Sequence, residues 1–217
     1  MAALDDRPIP PALLEQIASL VAPPLCAACG SPRSAERVLC ERCEAELACA
    51  PRVREPGPPG IDLVVSVSPF EGVARWMVHG LKFGRRLSLA GVAAKAMLNA
   101  LPAADSTDAV VPTPPSAWRR RWRGFDPAEE IAMATAMRAG LPFEPCLRRS
   151  HGRRQVGRRR RERLADPPRV WTAGPVPRHA LLVDDVWTTG ATLAACAGAL
   201  RAAGSRRIVA LTLAHAL

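Results

Sequence analysis

Residues 180–192, ALLVDDVWTTGAT, narrow the possible folds of this chain more than any other stretch. The apolar run Ala180 to Val183 is too short for a helix and reads as a buried strand. Two adjacent carboxylates, Asp184 and Asp185, end that strand. A loop with Thr188, Thr189 and Gly190 follows, and Ala191 opens a helix that carries Thr192 in its first turn. A strand that passes into a helix through a short loop fits a mostly parallel sheet covered by helices. The helix N-terminus offers unpaired N–H groups and the positive end of its dipole. Gly190 lets the backbone wrap closely, and the threonine hydroxyls add donors, so the loop can hold a phosphate dianion. The two carboxylates can accept hydrogen bonds from vicinal hydroxyls or approach a divalent cation. Phosphate at one end and a diol at the other describe a ribose 5-phosphate. The plainer alternative is an ordinary strand–turn–helix with capping Thr and Asp residues.

The surrounding pattern supports the same fold class. Residues 62–67 and 108–112 read as strands, 72–81 and 87–101 as helices, and 207–213 as a final strand. Residues 127–139 read as a helix with Pro127 in its first turn, acids next and Gly140 at its end. Residues 191–203 read as a helix ended by Gly204. Such alternation predicts a mostly parallel sheet flanked by helices. Ahead of it, residues 11–22 form an amphipathic helical pattern. Pro51 to Gly60, with four Pro and two Gly, reads as a linker. The predicted division is a module over 1–58 and an α/β domain over 59–217.

Cys26-Ala-Ala-Cys29 and Cys40-Glu-Arg-Cys43 are two C-x-x-C knuckles. Each turn places two thiolates on one side, and the pair supplies four soft ligands for a tetrahedral zinc with no open position, hence a structural ion. The other three cysteines, Cys49, Cys146 and Cys196, are expected to be small buried apolar residues. No secretory signal pattern and no uninterrupted apolar span is evident, so a cytoplasmic, reducing compartment and no membrane span are expected.

The chain has 217 residues and a formal charge of +10. Its cations are nearly all Arg, with Lys82 and Lys95 the exceptions. Lack of Tyr excludes a Tyr nucleophile or acid/base. The positive surplus lies in two patches. Arg119, Arg120, Arg121 and Arg123 form the first, interleaved with Trp118, Trp122 and Phe125; residues 148–163, with nine Arg including Arg153, Arg154 and Arg158, form the second. Patches of this kind point to a polyanionic ligand. Aromatics among cations suit single-stranded nucleic acid, although Trp118 and Trp122, four apart, equally fit packing into a core. The run 148–163 reads as a loop plus helix that could close over a site. The four histidines are scattered and assign no general acid or base.

The segment 181–192 resembles the phosphoribosyl pyrophosphate (PRPP) fingerprint of type I phosphoribosyltransferases. The resemblance implies that Asp184 and Asp185 bind the ribose hydroxyls. It places the 5-phosphate at Thr188, Thr189, Gly190, Ala191 and Thr192. Thr113, Pro114 and Ser116, after the strand at 108–112, become candidates for the pyrophosphate loop, with magnesium accompanying PRPP. Zinc knuckles ahead of such a domain, with Leu81-Lys82-Phe83, Val111-Pro112-Thr113-Pro114, Arg123-Gly124-Phe125, and Arg149, Gln155 and Arg163, resemble the ComF family. The chain departs from that pattern at Asp126 and Asp166, where Asn is common, and at Trp187, where Tyr is common. Membership implies a role in natural transformation, with single-stranded DNA and DNA-uptake or recombination proteins as partners. The type I resemblance alone implies the alternative, pentosyl transfer from PRPP to a base or amine. Related folds often dimerise, which extends to this chain by analogy.

Overall fold

A computed structural model describes residues 24–102, 106–115, 124–150 and 168–216. The expected helix at 11–22 lies outside the described residues. So do Ser116, the basic stretch 119–123 and residues 151–167, which include Arg153, Arg154 and Arg158.

Alternating apolar residues build the central sheet. Strands β1 (Val53–Glu55), β2 (Leu63–Pro69), β3 (Ala109–Pro112), β6 (His179–Trp187) and β7 (Arg207–His215) lie in the order β1-β2-β7-β6-β3. The pairs β2–β7, β7–β6 and β6–β3 are parallel, and only β1 is antiparallel, against β2. Strands β4 (Leu147–Arg149) and β5 (Val170–Thr172) form a separate antiparallel pair.

Successive strand residues face opposite sides, and each side has its own core. Val65, Val110, Leu181, Val183, Val209 and Leu211 pack under α2 (Gly72–Gly84), α3 (Ser88–Leu98) and α4 (Pro127–Ala139). Val64, Val111, Leu182, Ile208 and Ala210 pack under α5 (Ala191–Ala202), through Leu193, Cys196, Ala197 and Leu200. The first core also contains Cys26, Leu39, Cys43 and Leu47, the last two from α1 (Glu41–Cys49). The four-cysteine segment is thus packed onto the α/β layer.

Several expectations need correction. The stretch read as a linker contains β1, which hydrogen-bonds to β2; Arg52 and Arg54 also donate to the Asn99 and Ala100 carbonyls. The start of the run 148–163 is strand, not loop, because Arg148 and Arg149 pair with Trp171 and Val170. Cys49 is exposed at the end of α1, although Cys146 and Cys196 are buried as expected. Strand β6 continues to Trp187, so the acidic pair lies within its last turn of pleat rather than after it. The helix at 127–139 has the expected bounds. Asp126 caps it by accepting the N–H groups of Ala128 and Glu129, and Gly140 ends it in the left-handed region at φ 66°. Among the described residues no helix is long and apolar enough to cross a membrane.

Candidate functional site

Two parallel strands bring the sequence-predicted residues together. Pairing of Val111 with Leu182 and Pro112 with Val183 aligns the ends of β3 and β6. The Thr113 N–H extends that ladder by donating to the Val183 carbonyl at 2.9 Å. Thr113 and Pro114 are therefore buried beside the acidic pair. The Asp185 N–H donates to Asp184 Oδ1 at 2.8 Å, and the Thr113 side chain lowers the pKa of the same carboxylate slightly.

Burial raises the Asp184 carboxyl to about 7, the neighbouring Asp185 charge adds to the rise, and Lys82 opposes it. Asp185 projects to the other side of the sheet, where Lys82 Nζ of α2 meets its Oδ2 at 2.5 Å. That oxygen is buried, so the ammonium is the charge that holds it. Asp126 lies on this side as well. Burial lifts its carboxyl to about 6 despite the N–H groups it accepts, and the Asp185 charge contributes to the rise.

The loop after β6 ends at Gly190, the N-cap of α5, at φ 74°. A Cβ there would lie 3.1 Å from Pro58 Cγ and 3.3 Å from Trp187 Nε1. Both the left-handed backbone and the close packing therefore call for glycine. Ala194 N–H closes the first turn on the Gly190 carbonyl at 2.8 Å, and the Thr189 hydroxyl accepts the Ala191 N–H at 3.4 Å. Thr188 is exposed, while Thr189, Ala191 and Thr192 are half-buried. A groove of about 700 Å³, lined by Pro58, Val170, Thr189, Gly190 and the small residues of α5, opens along this helix. The arrangement can hold an anion at the head of α5 and hydroxyls at the carboxylates.

Lys82 and Asp126 were not among the predicted site residues. A signal for Lys82 was present: in a chain whose cations are almost all Arg, it stands as a compact ammonium, suited to a single carboxylate oxygen. Asp126 could be read only as a cap, because its approach to Asp185 depends on how α4 packs on β6.

The sulfurs of Cys26, Cys29, Cys40 and Cys43 lie within 4.8 Å of one another. Cys29 and Cys40 Sγ are 3.7 Å apart. A tetrahedral ion with ~2.3 Å bonds to sulfur needs edges of ~3.8 Å, so the four thiols fit such an ion. Hydrogen bonds from the Ser31 hydroxyl and N–H lower the Cys29 thiol to about 6, which favours the thiolate a metal requires. Burial pushes the Cys43 thiol up.

No family model matches the chain. It is 31% identical over 198 residues to DNA utilization protein YhgH of Salmonella typhimurium strain LT2, spanning 85% of this chain and 81% of that protein. The corresponding protein of Salmonella typhi matches to the same extent. The chain belongs to this ComF-like family. For this YhgH-family chain, the ComF resemblance and the four-cysteine cluster are borne out. The match embraces most of the molecule, so it covers more than the cysteine cluster alone.

Proposed function

We propose that this YhgH-family chain binds PRPP at the carboxyl edge of β3 and β6 and assists the handling of single-stranded DNA in DNA uptake. The observation that carries the first half is convergence: Thr113, Asp184 and Asp185 sit at adjoining strand ends beside a glycine-headed helix. In this reading the N–H groups and hydroxyls of Thr188 to Thr192 hold the 5-phosphate. Asp184 accepts the ribose hydroxyls, Asp185 is held behind it by Lys82, and Thr113 stands at the pyrophosphate side. Lys82 keeps Asp185 aimed. Magnesium, arriving with PRPP, supplies charge neutralisation for the pyrophosphate. The four cysteines hold a structural zinc that fastens the N-terminal segment to α2.

The DNA half rests on the relatives, which are named DNA utilization protein, and on the two arginine patches of the sequence. Calorimetric titration of PRPP with magnesium tests the site. One equivalent is expected to bind the wild type, and Asp184→Asn with Asp185→Asn is expected to abolish binding. A wild type that takes up no PRPP overturns the assignment. Titration of a labelled oligonucleotide at rising salt tests the DNA half; weak binding without a salt slope overturns it.

A further inference from the structure

We propose that the outer face of α2, with the first cysteine knuckle as its wall, is a stacking platform for single-stranded DNA. This rests on the DNA half of the reading above and assigns it a surface separate from the PRPP cradle.

Helix α2 buries Val73, Ala74, Met77, Val78 and Leu81 in the core. Its opposite face therefore carries Arg75, Trp76, His79 and Phe83, all exposed. Trp76 is 42% and Phe83 61% exposed, a large share for rings of that size. The rings follow one another. His79 lies 5.6 Å from Phe83 and 6.3 Å from Phe70, centroid to centroid. A groove of about 420 Å³ runs between this face and the knuckle, lined by Ala28, Arg75, Trp76, His79, Gly80 and Arg86. That is the size range of small-ligand sites, ~300–1,000 Å³.

Charge selects the occupant. From Gly72 to Arg86 the chain holds Arg75, Lys82, Arg85 and Arg86 and no acid. Lys82 is spent on Asp185, which leaves three arginines around the aromatic row. An apolar protein partner has no need of that cationic border; a strand that exposes bases to rings and phosphates to guanidinium groups matches both. The Arg85 guanidinium lies over the Phe125 ring at 6.0 Å, and Phe125 follows Arg123 and Gly124.

The test measures binding of full-length protein to a labelled oligothymidylate, its ribose counterpart and a duplex of equal length. Trp76→Ala is expected to weaken the DNA strand at least ~5-fold, the loss of one base–aromatic stack, and Trp76→Phe to restore most of it. Arg75→Gln is expected to lower the salt slope by ~0.7, the value for one phosphate of a single strand. Phe83→Ala supplies a second probe should Trp76→Ala lose its fold by circular dichroism. PRPP titration of the same variants should match the wild type. Wild-type binding with unchanged affinity in both aromatic variants overturns the platform and leaves the DNA reading standing. No wild-type binding overturns both. Tighter binding of the ribose strand overturns the assignment to DNA. Loss of a dimer in Trp76→Ala, by sedimentation and without loss of DNA affinity, gives the face to a second copy instead.

Discussion

At the scale of single residues, the site is governed by how two neighbouring carboxylates are kept from behaving alike. The period of two in a strand sends Asp184 and Asp185 to opposite sides of the sheet. Only Asp185 meets Lys82. Lys82→Ala should destabilise the protein by ~3–5 kcal/mol in urea unfolding, because it leaves a buried carboxylate oxygen without its ion partner. Adding Asp185→Asn should restore much of that loss, and failure to do so would mean that Lys82 acts through packing alone. Asp184 makes a separate prediction. Its folded value, about 7, exceeds the ordinary aspartate value of 3.8, so the native state holds the proton more tightly. The stability this contributes is full below the unfolded value and is lost as pH rises through about 7. Urea midpoints should fall over that window and fall less in Asp184→Asn, with the remaining slope from Asp126, raised to about 6. If the diol needs the ionised carboxylate, PRPP affinity should rise across the same window in the wild type. A flat profile would remove Asp184 from the binding reading.

Helices and strands show which local signals survive packing. The helix Pro127–Ala139 was legible to the residue, since Pro127, the two acids after it and Gly140 act within a single turn of chain. Strand β1 was not, because Val53 to Glu55 has too few residues for a period and its pairing partner lies in β2. The β4–β5 pair was hidden for the same reason, and arginine-rich composition at Arg148 and Arg149 looked like a loop. The junction of β6 and α5 joins both kinds of information. Its glycine was legible as a turn, whereas the contact with Pro58 was not. Gly190→Ala should cost ~1–2 kcal/mol for the left-handed backbone. It should also press a methyl on Pro58 and Trp187, which stand 3.1–3.3 Å from the new carbon. Thermal unfolding against Gly198→Ala, an open position in α5, provides the measurement. Equal melting temperatures for the two variants would show that the junction relaxes freely.

In the whole molecule, the four-cysteine segment and the α/β layer share one core, since Cys26, Leu39, Cys43 and Leu47 pack with Val65, Val73 and Met77. Metal loss should therefore be felt beyond the knuckles. Metal analysis of unchelated protein should find one equivalent of zinc. Cys40→Ser, or a strong chelator, should speed amide exchange in α1 and along α2, while β6 and β7 stay protected. Fast exchange confined to residues 24–50 would show that the shared core does not depend on the ion. The amino-acid sequence by itself determined the mostly parallel α/β class, the cysteine cluster and the strand–acid–glycine–helix segment. Each of these is written in neighbouring residues, through periodicity, knuckle spacing or the chemistry of a tight turn. Only the tertiary structure decided that Lys82 serves Asp185, that Thr113 stands over Asp184, that Pro58 closes on Gly190 and that an aromatic row lies exposed on α2. Those relations join residues tens of positions apart, and they follow from strand order and helix docking, which no local pattern encodes.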